Sequence, residues 1–208
     1  SYDMLGEGAM TAADADAYAA AYMSAIKSLA PACLSEDIRV NPGISIKLSA
    51  LCARFEMAQR DRVLAELVPK VAALAAQARA QGMGLNIDAE EADRLDLSLD
   101  VIAAVLAEPS LRGWDGFGVV VQAYGKRADA VIDWLYALAE THDRRIMLRL
   151  VKGAYWDTEI KHAQVAGLAD FPVWTRKPAT DVAYLCCARK LLGMTDRIYP
   201  QFATHNAH

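Results

Sequence analysis

The sequence predicts an α/β fold, a (β/α)8 TIM-type barrel with about six strands present in this chain. Three observations carry that expectation. Short apolar runs of strand type alternate with amphipathic helical stretches. The strands expected near residues 44, 84, 117 and 146 begin roughly 30 to 40 residues apart, the length of a strand, a crossover helix and two loops, and the longer last interval has room for an inserted loop and an extra helix. No GxGxxG run follows the first strand and no GxxxxGK[ST] loop occurs, so the dinucleotide and phosphate-loop versions of a doubly wound sheet are removed.

The elements follow in order. Residues 1–5 read as the tail of a strand. Thr11, with Asp14 three positions on, is a helix N-cap, and Tyr18, Tyr22, Ala25 and Leu29 then share one helical face. A strand is expected over Ile44 to Ser49, and a helix over Val63 to Ala78, broken by Gly82 and Gly84. The next strand is Leu85 to Asp88, and the helix after it carries Leu95, Leu99, Ile102 and Leu106 on one face. Phe117 to Ala123 is a strand, Ala128 to Leu138 a helix, and Ile146 to Val151 a strand of strong β character. A helix at Tyr155 to Ala166, an irregular stretch around Phe171 to Pro178, a helix at Asp181 to Leu192 and a last strand near Gln201 to Thr204 complete the pattern.

With 208 residues, 54% hydrophobic and 23% charged, the chain can bury a core of its own. The net charge of -4 repels a polyphosphate backbone, so no nucleic acid is expected through this segment. No apolar run approaches the ~20 residues of a membrane span. Ser1-Tyr2-Asp3 is neither a signal peptide nor an initiator, and no linker divides the chain. One domain over residues 1–208 is therefore expected, incomplete at both ends and cut from something longer. Cys33, Cys52, Cys186 and Cys187 show no CxxC pairing, which fits a reducing, cytoplasmic compartment.

Alternation along the strands points to chemistry. Ser45, Lys47 and Ser49 oppose Ile44, Ile46 and Leu48; Asn86 and Asp88 oppose Leu85 and Ile87; Gln122 and Arg149 are the polar members of the next two strands. If the apolar faces meet the surrounding helices, Lys47, Asn86, Asp88, Gln122 and Arg149 line the interior near the strand ends, where barrels place their sites. A Lys47–Asp88 pair serving packing alone is the other reading of the same residues. Spacing reaches a polar ligand at the barrel mouth and stops there.

Longer motifs add a resemblance. Ser-Tyr-Asp-Met-Leu-Gly-Glu at 1–7, Gly-Ile-Ser-Ile-Lys-Leu-Ser-Ala at 43–50, Asp-Ala-Glu-Glu-Ala-Asp-Arg at 88–94, Val-Gln-Ala-Tyr at 121–124, Arg-Leu-Val-Lys-Gly-Ala-Tyr-Trp-Asp at 149–157 and Phe-Ala-Thr-His-Asn at 202–206 occur in this order. Together they resemble the proline dehydrogenase domain of bacterial bifunctional proline utilization A over essentially the whole chain. The pattern departs at Leu51-Cys52-Ala53-Arg54, where the family usually has Leu-His-Pro-Arg.

The resemblance implies a distorted barrel with non-covalent FAD, oxidising L-proline to pyrroline-5-carboxylate by hydride transfer, the first step of proline catabolism to glutamate. It assigns Lys47 to the substrate carboxylate, Tyr155 to packing on the substrate ring, Asp3 and Asp88 to supporting contacts, and Arg149 to a place beside flavin N5. Gln122 suits the flavin's pyrimidine edge. Asp88 is also counted among the cofactor contacts. Val151, Lys152, Gly153, Ala154 and Trp156 are implied for the ribityl and phosphate groups, Thr175, Arg176, Lys177 and Thr180 for the adenosine half, and Thr204, His205 and Asn206 for closing the flavin site. It further implies a membrane quinone as electron acceptor, hence a cytoplasmic protein peripheral to the inner membrane during turnover, a downstream aldehyde dehydrogenase domain and room for a homo-oligomer. Two more strands and a helix with a carboxylate-binding arginine pair are expected beyond His208, without which the segment alone is expected to be inactive. Without the motifs, Tyr155 reads as a barrel cap and the charged run at Thr175 to Lys177 as a solvated loop. His205 and His208 lack ligand-spaced neighbours, so no metal is assigned. Two rivals stay open: a Schiff-base lyase using Lys152 with Tyr155 as proton donor, and a non-catalytic barrel fragment.

Overall fold

The computed structural model describes residues 2–4 and 8–203. Six strands lie in one sheet in chain order: β1 (Tyr2–Asp3), β2 (Gly43–Ile46), β3 (Gly84–Ile87), β4 (Phe117–Gln122), β5 (Ile146–Val151) and β6 (Ile198–Phe202). The pairs β1–β2, β2–β3 and β5–β6 run parallel. Among the described residues seven α-helices accompany them: α1 (Ala12–Leu29), α2 (Leu48–Leu51), α3 (Arg60–Ala80), α4 (Leu95–Leu106), α5 (Ala128–Thr141), α6 (Trp156–Val165) and α7 (Lys177–Leu192). Parallel strands in sequential order, joined by helices, are the succession a (β/α) barrel uses. No helix among the described residues is long and apolar enough to cross a membrane.

The chain divides into two compact units, residues 1–88 with 94–118, and residues 89–93 with 119–208. In the first, Thr11 opens α1 through a full capping box: its hydroxyl accepts the Asp14 N–H at 3.1 Å and the Asp14 carboxylate accepts the Thr11 N–H at 2.8 Å. The buried stripe of α1 runs through Ala15, Tyr22 and Ile26, so its centre is displaced from the expected Tyr18–Leu29 face. Ile44, Ile46, Leu67, Val71, Leu85, Ile87 and Val101 form the dry core of this unit. Burying such a side chain fully contributes about 1.5–3 kcal/mol. The second unit buries Ile132, Leu135, Ile146, Leu148, Leu150 and Leu191 in the same way.

Most boundaries fall within three residues of the sequence expectation, with β3 at Gly84–Ile87 rather than Leu85 to Asp88, and three of the differences bear on the site or on chain direction. β2 ends at Ile46 rather than Ser49, because the Ala50 N–H turns back to the Lys47 carbonyl at 3.2 Å and starts α2. Ser49 is therefore a buried helical residue whose hydroxyl accepts the Gly8 N–H at 3.1 Å, not a member of a strand's polar face. Helix α7 begins at Lys177, four residues before Asp181, with Pro178 in its first turn, where a missing N–H costs nothing. β6 starts at Ile198, three residues before Gln201, and carries Pro200 within it.

Candidate functional site

In the first unit, β2 and β3 deliver their polar residues to the strand ends. The Asp88 N–H donates to the Ile46 carbonyl at 2.9 Å, extending the β2–β3 ladder by one residue, and the Lys47 ammonium lies 3.9 Å from the Asp88 carboxylate. Their side chains are 23% and 14% exposed, so the pair is half-buried yet reachable. The Lys47 N–H is held by the Tyr22 hydroxyl at 3.2 Å, which fixes the point where strand becomes helix. Asp3 sits opposite Ser45 in the β1–β2 register. Asn86 is buried, its Oδ1 has no hydrogen-bond partner, and its amide occupies the space a Cβ on Gly118 would need.

In the second unit, Gln122 ends β4 and its amide holds two loops. Nε2 donates to the Glu90 carbonyl at 2.9 Å, and Oε1 accepts the Ala154 N–H at 3.0 Å. The same side chain also hydrogen-bonds the Tyr124 phenol, so the amide is tied to both loops and to that ring. Arg149 is the half-buried polar member of β5, between buried Leu148 and Leu150. After β5 the chain turns at Gly153, whose φ of 139° belongs to glycine and whose missing Cβ leaves room for the Tyr124 ring. The Tyr124 hydroxyl accepts the Tyr155 N–H at 3.2 Å, and burial pushes its phenol far above the ordinary range. Tyr155 caps α6, half-buried, and the Trp156 indole N–H donates to the Trp174 carbonyl at 2.9 Å.

The cations of this unit converge on one carboxylate. Lys152 and Lys177 reach Asp181 at 2.6 and 2.7 Å, and their hydrogen bonds hold its carboxyl below the usual carboxylate range. Two ammonium groups on one carboxylate leave a positive surplus at the start of α7. Arg176 stands there as the exposed N-cap residue with no side-chain cap bond, so the first-turn amides of a 16-residue helix add partial positive charge. Thr175 is exposed and Thr180 buried. An anionic group with several oxygens matches this donor set. Pro178, Ala179, Val182 and Cys186 lie on another face of α7 and line an apolar groove of about 560 Å³ that also meets Lys126 and Trp174.

The structure thus gathers Lys47 with Asp88 in one unit, and Gln122, Ala154, Tyr155, Lys152 and Lys177 within one connected network in the other. Thr204, His205 and Asn206 lie outside the described residues. Among the described residues, no group of three His, Cys, Asp or Glu side chains is placed to hold a metal. Sequence reasoning missed Tyr124, Arg127, Glu159 and Asp181. Asp181 lies four positions after Lys177, a spacing that signals a helical ion pair. Nothing in the periodicity distinguishes Glu159, a 4% exposed carboxylate in the first turn of α6, from a solvated one.

Comparison with known proteins places these residues among relatives. The family model described as proline dehydrogenase matches residues 1–208. Bifunctional protein PutA of Salmonella typhimurium (strain LT2) is 58% identical over all of this chain, which covers 16% of that relative. PutA of Escherichia coli (strain K12) and of Rhizobium meliloti are 57% and 56% identical, again over 100% of the chain and 16% of the relative. A crystal structure of a mutant of Bradyrhizobium japonicum proline utilization A (PutA) superposes with a TM-score of 0.98 at 61% identity, covering 100% of this chain and 21% of that one. Proline utilization A from Bdellovibrio bacteriovorus, inactivated by N-propargylglycine, matches with a TM-score of 0.89 at 29% identity, covering 98% of this chain and 22% of that one.

Proposed function

We propose a function from one premise, that the chain belongs to the proline dehydrogenase family. In this reading residues 1–208 are an incomplete part of the barrel domain with which a longer polypeptide oxidises L-proline to pyrroline-5-carboxylate; the chain spans 16% of the curated relatives it matches. The carrying observation is the family match over every residue, at 56–58% identity to those relatives.

The cofactor in this reading is FAD, and the residues fit it. Gly153 and Ala154 leave a side-chain-poor turn after β5, and Lys152, Lys177, Arg176 and the α7 amides supply positive charge for a diphosphate. Val151 and Trp156 complete the ribityl and phosphate contacts, Thr175 and Thr180 the adenosine half, Gln122 and Asp88 further flavin contacts, and Thr204, His205 and Asn206 the closing edge. When bound, FAD supplies the two-electron acceptor for the hydride leaving the carbon next to the ring nitrogen. Lys47 takes the proline carboxylate through charge-assisted hydrogen bonds, with Asp88 beside it setting the ammonium's direction and Asp3 in support. Tyr155 packs on the pyrrolidine ring and excludes water from the reacting face. Arg149 holds negative charge that develops as the hydride leaves the substrate.

The electron acceptor downstream is a membrane quinone reached from the cytoplasmic side, the fused partner an aldehyde dehydrogenase domain, and the assembly a homo-oligomer. The printed word "bifunctional" in the relatives' name supports the fused partner. The Schiff-base lyase reading is the weaker one, because Lys152 is engaged by Asp181 at 2.6 Å and does not present the desolvated amine that attack on a carbonyl needs. The test is purification of the full polypeptide. FAD released by denaturation, together with proline-dependent formation of pyrroline-5-carboxylate, is the expected result. A folded protein unable to bind FAD overturns the reading, and a borohydride-trapped adduct on Lys152 replaces it with the lyase.

A further inference from the structure

We propose that Glu159 is a positioning residue of the site, tying the loop that leaves Asp88 to the turn that carries Tyr155. Glu159 lies in the first turn of α6, between exposed Thr158 and half-buried Ile160, yet it is 4% exposed. Burying a carboxylate is costly unless its oxygens are engaged, and an apolar side chain would fill the same space without that cost. What the carboxylate holds is the main chain of the loop. Its Oε1 accepts the Ala92 N–H at 2.6 Å, across 67 residues of sequence.

Ala92 is held at both its main-chain groups by side chains, since its carbonyl accepts from the Arg127 guanidinium at 3.0 Å. Two residues earlier, the Glu90 carbonyl accepts from Gln122. On the other side, the Glu159 N–H donates to the Tyr155 carbonyl at 2.9 Å and the Tyr155 N–H donates to the Tyr124 hydroxyl, so the residue bearing the substrate-facing ring is fixed at both ends of its peptide. The Glu159 side chain links these two fixed pieces directly. Glu91, Asp93, His162 and Tyr124 are titratable groups that interact with it. Two nearby carboxylates disfavour a third charge, so packing and charge alone do not call for an acid there. The hydrogen bond to Ala92 calls for an acceptor oxygen at this position.

This rests on the proline dehydrogenase reading for what Asp88 and Tyr155 do, but the anchoring of Ala92 is independent of it. The test compares Glu159→Leu, which keeps volume and removes the acceptor, with Glu159→Gln, which removes charge and keeps an amide oxygen, both in the full polypeptide loaded with flavin. Exchange of the Ala92 amide should accelerate about tenfold or more in Glu159→Leu while the Ala123 amide is unchanged, and Glu159→Gln should restore protection. KM for proline should rise about tenfold in Glu159→Leu with flavin content intact, and return to within about threefold in Glu159→Gln. If Glu159→Leu does not fold, Arg127→Met, a change at an exposed residue, should accelerate the Ala92 amide and raise KM in the same direction. Unchanged Ala92 exchange and KM in these variants of a proline-oxidising protein overturn the inference. A wild-type protein that protects Ala92 but does not oxidise proline overturns the functional reading alone.

Discussion

Replacing Gly153 by Ala tests how the turn after β5 is built. Its φ of 139° is a region that L residues rarely adopt, which costs on the order of 1–3 kcal/mol. The new methyl would also stand 2.5–2.6 Å from the Cδ2, Cε2 and Cγ atoms of Tyr124. That ring has little freedom to retreat. Tyr124 is 4% exposed, its N–H donates to the Lys152 carbonyl and its own carbonyl accepts the Trp174 N–H, both at 2.8 Å, and its hydroxyl is held by Tyr155. Overpacking against such a neighbour adds about 1–3 kcal/mol, so the two contributions together give about 2–6 kcal/mol. Gly167→Ala is the control: its φ of 62° is also positive, but a Cβ there meets nothing within 4 Å. The collision alone should separate the two variants by about 2 kcal/mol, or about 30-fold in an opening equilibrium. The assay is native-state hydrogen exchange at the Ala123 and Tyr124 amides, which donate to Val151 and Lys152 across β4 and β5. Protection falling no further in Gly153→Ala than in Gly167→Ala would refute the reasoning.

Other perturbations follow from single contacts. Burial raises the Glu159 carboxyl above its ordinary 4.5, so its stabilising share is complete below that pH and is lost as pH rises through the folded value. Glu159→Gln should therefore gain stability relative to wild type between acid and neutral pH in denaturant unfolding, and a difference independent of pH would contradict this. Cys186 is exposed, whereas Cys52 and Cys187 are buried thiols pushed up by desolvation, so alkylation at neutral pH should modify Cys186 first; equal rates would be inconsistent with their packing. Lys47→Ala should weaken a carboxylate-bearing proline analogue about tenfold or more while flavin content stays constant. Unchanged affinity would remove Lys47 from the site.

The alternating pattern made the order of strands and helices legible, because burial on one face leaves a period in the sequence. β5 was expected at its observed limits, with its apolar residues facing helices and Arg149 as the polar member. The end of β2 was hidden because Ile46-Lys47-Leu48-Ser49 keeps a strand's alternation through the first turn of α2, and only the Ala50-to-Lys47 hydrogen bond distinguishes the two. Pro178 reads as a loop residue in sequence and is a helix-starting residue in space. The candidate residues at strand ends were named from side-chain alternation and motif, and the structure sets Lys47 3.9 Å from Asp88. Glu159, Tyr124 and Arg127 were not, since their roles lie in hydrogen bonds to main-chain atoms distant in sequence, and such bonds leave no periodic trace.

The central claim is that Lys47, Asp88, Arg149 and Tyr155 serve proline oxidation by a bound flavin. The most direct measurement is anaerobic mixing of the flavin-loaded full polypeptide with L-proline, following loss of the oxidised flavin's visible absorbance, alongside Arg149→Met. The account predicts bleaching by L-proline in the wild-type protein and a reduction step slowed about 100-fold or more in the variant, the scale on which a charge-stabilising group acts in catalysis. A flavin that stays oxidised in the presence of saturating proline, or an Arg149→Met protein reduced at the wild-type rate, would contradict it.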